Sequence, residues 1–180
     1  MLNFIRAKKL YNQIEQRREK LYRLAFSWCH DEMLADDLVQ DTLGKALKKY
    51  HQLKDQQKLD PWLYRILHNC WMAHLRHEKP ATILDDVNNL DENSPDRILS
   101  DEQLVKRVRL AVSCLPVLQR QIISLVDLEG CCYADVADIL EIPIGTVMSR
   151  LNRARASLRK KLISIESAQF SVTPQLRSVK

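Results

Sequence analysis

Glycine is scarce in this chain, with three residues in 180. So few freely bending positions leave little material for the tight turns of a sheet-rich fold. Helix formers dominate instead, and the expected class is all-α. Acidic residues are missing from one place in particular. None stands between Glu141 and Glu166, a window that holds Arg150, Arg153, Arg155, Arg159, Lys160 and Lys161. No apolar run approaches the ~18 residues that a membrane span requires. The N-terminus shows no charged segment followed by an unbroken apolar stretch, so no secretory signal is expected. The expectation is a protein of the cytoplasm without membrane insertion. The five cysteines (Cys29, Cys70, Cys114, Cys131 and Cys132) are odd in number and show no CxxC spacing. Four sit in helix-like apolar patterns, which fits buried free thiols in a reducing compartment. HExxH, P-loop and GxSxG motifs are absent. His74 and His77 stand three apart on a helix, yet no Cys or acid lies at a persuasive zinc-partner spacing. The expectation is therefore no catalytic residue, no metal and no cofactor.

Charge is unevenly distributed. The net charge is +5, a weak pointer to a polyanionic partner. Residues 78–102 run the other way, with Glu78, Asp85, Asp86, Asp91, Glu92, Asp96, Asp101 and Glu102 against Lys79 and Arg97. From Phe4 to His77 helical periodicity is dense. One helix is expected from Asn12 to His30, and a second from Asp31 with Leu34, Leu38, Leu43 and Leu47 inside it. The polar stretch HQLKDQQKLD, residues 51–60, reads as a loop. Asp60–Pro61 then restarts a helix, Asp as N-cap and Pro in the first turn. On the wheel of residues 61–76, Trp62, Leu63, Ile66, Leu67, Cys70, Ala73 and His74 share one face. Tyr64, Trp71, Leu75 and His68 make a second apolar patch. Arg65, Asn69, Met72 and Arg76 share the remaining strip. Such a helix is packed from two sides or offers its second patch to a partner, and Trp62 is the stronger core candidate over Trp71.

Residues 78–99 lose periodicity and are rich in Asp, Asn and Pro, as a linker is. Fully extended, about 22 residues reach roughly 70 Å. Ser100 with Gln103 looks like a capping box opening the second block. Helices are expected at 101–114, 116–128, 133–140 and 143–163, with Gly130 as a stop. YADVADILEIPIGTVMSRL, residues 133–151, has the spacing of a helix-turn-helix. Val136, Leu140, Ile142 and Val147 hold two short helices at a steep angle. Ala137 stands where they approach most closely, and Pro143 pre-sets the second helix. In that helix Ile144, Val147, Leu151, Ala154, Leu158 and Leu162 form the buried stripe, so the cations lie off it. A tight turn feeding a uniformly basic helix is the geometry that enters a DNA major groove, where acids would repel phosphates. Met148, Ser149, Asn152 and Arg153 are placed to reach base edges, and Thr146, Arg150 and Arg155 to hold phosphates.

Three stretches together resemble the extracytoplasmic-function group of bacterial sigma factors in the sigma-70 family. ADDLVQDTLGKAL (35–47) is similar to the region 2 helix that binds the RNA polymerase core. PWLYRILHNCWMAHLR (61–76) is similar to the region 2 helix that melts and reads the −10 promoter element. Residues 114–162 are similar to region 4, which reads the −35 element. The resemblance implies two small helical domains joined by a flexible acidic linker. These are region 2 over residues 1–77, the linker over 78–99, and region 4 over 100–166, followed by a tail over 167–180. It implies polymerase contacts by Asp36, Asp37, Gln40 and Asp41, an acidic face suited to the basic β′ coiled coil, with the β flap as a further contact. It implies −10 contacts by Tyr64, Arg65, Asn69 and Arg76 and by the loop from His51 to Asp60, which matches the loop that captures a flipped base. Flipping costs a few kcal/mol of unstacking, which hydrogen bonds and stacking must offset. Promoter DNA and an anti-sigma factor are the other partners implied. The chain departs from the family pattern at Glu141, where Gly is frequent in the turn, at Met148, where Lys or Arg is common, and at Ala73, where Asp is usual.

A stand-alone helix-turn-helix regulator acting as a dimer is the alternative. It accounts for residues 114–162 and leaves 31–76 without a role.

Overall fold

The computed structural model describes residues 11–53, 55–78 and 101–170. Among these there is no strand. Residues 11–15 are helical, a turn follows at 16–17, and α1 runs Arg18–Cys29. The single helix expected from Asn12 to His30 is thus broken. The apolar periodicity passes through the break, because Ile14 and Leu21 are both buried, and so it carries no mark of it. His30 ends α1 in a left-handed conformation, φ 55°, with its N–H on the Phe26 carbonyl. Asp31 then caps α2 (Glu32–Lys49) by accepting from the Leu34 N–H at 2.9 Å, the role its side chain suits best. Leu38 and Leu43 are buried, and Leu34 and Leu47 pack partly against them.

The polar stretch after α2 forms two single 3-10 turns, at Tyr50–Gln52 and Gln56–Lys58. The long helix α3 begins at Leu59 and runs to Glu78. Asp60 therefore lies inside the first turn instead of capping it. Its carboxylate is held from α1's side by Arg17 Nε at 2.8 Å and Lys20 Nζ at 3.0 Å. Burial alone would raise the Asp60 carboxyl, but these two cations overcome it and hold the group below the usual carboxylate range. Leu63 and Leu67 are fully buried against α1 and α2, with Trp28 at the centre of the cluster.

The second half comprises α4 (Asp101–Ser113), α5 (Val117–Ile123), α6 (Tyr133–Leu140) and α7 (Ile144–Phe170). Helix α5 passes into a π turn, Ser124–Leu128, closed by the Glu129 N–H on the Ser124 carbonyl at 3.0 Å. Gly130, at φ 67°, stops it as expected. Helix α7 lies across α4, α5 and α6, with Val147, Leu151 and Ala154 buried beneath it. Ile144, expected in that stripe, is half exposed, because at the first helical residue no neighbour yet covers it. The helix also outruns its expected end at 163.

The two halves pack against each other. Helix α3 contacts α6, and α1 contacts α4 and α5, so their buried residues form one continuous core. Trp28 meets His68 edge to face, and Gln121 is hydrogen-bonded to His68 Nδ1 at 3.1 Å. This accounts for much of the second apolar patch of the 61–76 helix: Tyr64 and His68 are buried against the other half, and Trp71 is buried on the same helix. Trp71 is more deeply buried than Trp62, the reverse of the sequence expectation. Cys132 is exposed, not buried, and its sulfur caps α6 by accepting from the Asp135 N–H at 3.4 Å. The linker at 79–99, Ser100 of the expected capping box, and the tail at 171–180 lie outside the described residues.

Candidate nucleic-acid interface

The helix-turn-helix is built from α6, the turn Glu141–Pro143, and the start of α7. Val136, Leu140 and Val147 are buried between the two helices, and Ala137 packs partly against them. The turn is closed by the Ile142 N–H on the Ala137 carbonyl at 3.1 Å. Glu141 adopts a left-handed conformation, φ 54° and ψ 44°. Glycine would enter it without strain, and a residue with Cβ pays about 1–2 kcal/mol. The Pro143 carbonyl accepts from the Thr146 and Val147 N–H groups and starts α7.

On the far side of the buried stripe, Met148, Ser149, Asn152 and Arg153 are exposed on consecutive turns, and Thr146 and Arg150 are half-buried beside them. Arg155 is also exposed, but two of its guanidinium nitrogens are engaged. Nε donates to Asp127 Oδ2 at 3.1 Å and Nη2 to Oδ1 at 2.5 Å. This fork docks α7 onto the π turn. Arg155 would have to leave Asp127 in order to hold a phosphate.

Helix α3 places Arg65, Asn69 and Arg76 on its exposed strip. Arg65 Nη2 donates to Glu141 Oε1 at 2.8 Å. Tyr64, in contrast, is 2 % exposed, and its hydroxyl donates to Glu129 Oε2 at 2.6 Å. Burial and the adjacent carboxylate hold the phenol well above its usual range. In this arrangement Tyr64 faces the other half and presents no surface to a nucleic acid. Within the loop from His51 to Asp60, Lys58 Nζ donates to Asp135 Oδ1 at 2.7 Å, and this hydrogen bond holds the Asp135 carboxyl below its usual range.

Asp36, Asp37, Gln40 and Asp41 are all exposed on one side of α2, with Met33, 81 % exposed, one turn before them. Their opposite side carries Ala35, Leu38, Val39 and Thr42 into the core. Among the described residues no group of three or more His, Cys, Asp or Glu side chains is placed to hold a metal ion, and no helix is long and apolar enough to cross a membrane.

The sequence reading missed the contacts between the halves. Lys20 Nζ, which lies over the Tyr64 ring, reaches Glu129 at 3.3 Å. Ser27 Oγ is bonded to Ser124 Oγ at 2.9 Å. Arg120 donates Nη1 to the Trp28 carbonyl at 2.5 Å and Nη2 to the carbonyls of Ser113 and Leu115 at 2.9 and 3.0 Å. The one hint in the sequence was the helix apolar on two faces, which names a covered surface but not its cover.

Comparison with known proteins accounts for both halves. The family described as Sigma-70 region 2 matches residues 13–80, and the one described as Sigma-70, region 4 matches residues 106–158. The extracytoplasmic-function (ECF) RNA polymerase sigma factor SigM of Mycobacterium tuberculosis is 34% identical over 84% of this chain and 76% of its own length. SigE of Mycolicibacterium smegmatis is 28% identical over 87% of this chain, a match that spans 63% of that relative. Among solved structures, the sigma factor RpoE in complex with the anti-sigma factor NepR, from Bartonella quintana, aligns at a TM-score of 0.67. It is 28% identical and covers 86% of this chain and 97% of that one. With both promoter-reading regions matched in order and a close relative over most of its length, the chain belongs to the sigma-70 family as an ECF RNA polymerase sigma factor, a family that binds RNA polymerase and directs promoter-specific initiation of transcription.

Proposed function

We propose a division of labour within this sigma factor. Asp36, Asp37, Gln40 and Asp41 form the patch that docks on the basic β′ coiled coil of the polymerase core, with the β flap engaging residues 100–166. Arg65, Asn69, Arg76 and the loop from His51 to Asp60 receive the opened strand of the −10 element, and Tyr64 joins them once the halves part. Met148, Ser149, Asn152 and Arg153 read the −35 element, while Thr146, Arg150 and Arg155 hold its backbone. The domain division is 1–77, a tether at 78–99, 100–166 and a tail at 167–180. An anti-sigma factor is a further partner, as for the related protein solved with NepR, and the site of action is the cytoplasm, where the polymerase works.

The observation that carries this reading is the position of α7. Its exposed face combines polar base-reading side chains with cations and has no acid from Ile142 to Ile165. A helix N-terminus so composed, set on a helix-turn-helix, suits the major groove. The stand-alone dimer reading gives residues 13–80 no task. Run-off transcription with purified core polymerase on a promoter library is the test. The expected result is start-site-specific RNA that depends on this chain. Association with the core without directed RNA synthesis would refute the proposal.

A further inference from the structure

We infer that Glu129, Asp135 and Glu141 act as an internal stand-in for nucleic-acid phosphates, occupying the cations Lys20, Lys58 and Arg65 beside and within the strand-receiving surface of the first half until the opened promoter strand displaces them. This rests on the assignment of that surface given above. The three carboxylates bracket α6. Glu129 ends the π turn, Asp135 lies in the first turn of α6, and Glu141 is its left-handed C-cap. Each lands on a cation of the first half: Glu129 on Lys20 at 3.3 Å, Asp135 on Lys58 at 2.7 Å, and Glu141 on Arg65 at 2.8 Å. Lys58 lies in the loop before α3 and Arg65 on α3 itself, the elements assigned to the −10 strand. Carboxylate and phosphate oxygens offer these cations the same charge-assisted acceptor.

The depth of the three pairs is graded. The Glu129 side chain is 7 % exposed and also accepts from the Tyr64 hydroxyl, so it belongs to the packed seam. Arg65 and Glu141 are 52 and 57 % exposed, while the Lys58–Asp135 pair is intermediate, at 58 and 20 %. Exposed pairs of this kind are weak and screened by salt, so a polyanion arriving from solvent can displace them from the rim inward. Glu141 supplies a separate argument. A glycine in its place would relieve the left-handed strain but would present no carboxylate to Arg65. Strain retained at such a position marks a use for the side chain. The −35 face stays open throughout, since Met148, Ser149, Asn152 and Arg153 are exposed while Tyr64 is covered. The chain can therefore meet upstream duplex first and expose its strand-receiving surface second.

The test uses the full chain and a labelled, short single-stranded DNA of mixed sequence, followed by fluorescence anisotropy at low salt. The double variant Asp135→Asn, Glu141→Gln should bind this DNA roughly two- to thirtyfold more tightly than the unaltered chain, the factor expected for removing two competing exposed pairs. The swap Lys58→Glu, Asp135→Lys restores an ion pair of reversed sense and removes a phosphate-binding cation from the loop. It should bind DNA more weakly than the unaltered chain. Equal affinity of the double variant and the unaltered chain, or a swap variant that binds as tightly as the double variant, overturns the inference. Run-off synthesis with core polymerase separates the two levels. Directed RNA from chains of equal single-strand affinity removes the mask and leaves the sigma assignment standing. Absence of directed RNA from every chain removes the assignment and the mask with it.

Discussion

Replacing Arg120 by alanine tests the seam between the halves most directly. Its guanidinium gathers three carbonyls, those of Trp28, Ser113 and Leu115, at 2.5, 2.9 and 3.0 Å. Two of them, Trp28 and Ser113, lie in the last turns of α1 and α4, where carbonyls lack intrahelical donors and carry the negative end of the helix dipole. Hydrogen bonds to a charged group contribute about 1.5–3 kcal/mol each. Burial lowers the Arg120 pKa, a sign that removing this cation from water opposes part of that gain. Water also enters the space an alanine vacates and solvates some of the carbonyls. The net loss should be about 3 kcal/mol, a large share of the ~5–15 kcal/mol that stabilises a domain. Urea unfolding of the full chain, followed by circular dichroism, measures it. Arg120→Lys keeps the charge but lacks the planar fork and should lose about half as much. Because the Trp28 bond crosses the seam, the alanine variant should also separate the unfolding of the two halves into distinct transitions. A loss below about 1 kcal/mol with a single unchanged transition would refute the claim that this guanidinium ties the halves together.

Four other substitutions have defined outcomes. His68 is 7 % exposed, and its burial pushes its pKa down to about 4, with Glu141 opposing the shift, Gln121 bonded to its ring and Trp28 packed edge-on. The unfolded chain takes up the proton near pH 6.5 and the folded chain refuses it until about 4. The His68 contribution to stability is therefore flat above about 6.5 and falls by up to roughly 3 kcal/mol as pH drops toward 4; comparing urea midpoints of the unaltered chain and His68→Gln across this window should show a shallower slope in the variant. Glu141→Gly relieves the left-handed strain and should stabilise the isolated helix-turn-helix by about 1 kcal/mol while removing the Arg65 pair, so thermal unfolding should improve even as single-strand affinity of the full chain rises. Arg153→Ala should weaken binding to −35 duplex, and Asn69→Ala should impair promoter opening more than closed-complex binding; if both variants showed the same defect on duplex and on pre-melted templates, the division of labour would be wrong.

Local chemistry made much of this fold legible. Asp31 announced a cap, Gly130 a stop, and the alternation of Val136, Leu140 and Val147 a pair of crossed helices, each signal lying within a few residues of its effect. The exposure of Met148, Asn152 and Arg153 was legible for the same reason, since one helical wheel separates them from the buried Leu151 and Ala154. What was not legible depends on partners distant in sequence. Tyr64 finds Glu129, Arg65 finds Glu141 and Lys58 finds Asp135 across 65 to 77 positions, and no periodicity encodes such a pairing. The break at 16–17 and the exposure of Ile144 escaped because a wheel assumes an unbroken helix with neighbours along its whole length. Tyr64 shows the same limit, since the resemblance put it among the −10 contacts while the closed seam buries it against a carboxylate.

The π turn at Ser124–Leu128 gives this chain a place where the loss of a single residue can be absorbed. Such a turn carries one more residue than a regular helix needs. Deleting one position within it would let α5 continue as ordinary helix and would leave the elements after it close to their present phase. What disappears is the widened turn itself, from which Asp127 reaches the Arg155 fork. Shortened versions of this segment should keep an intact helix-turn-helix whose long helix is less firmly docked.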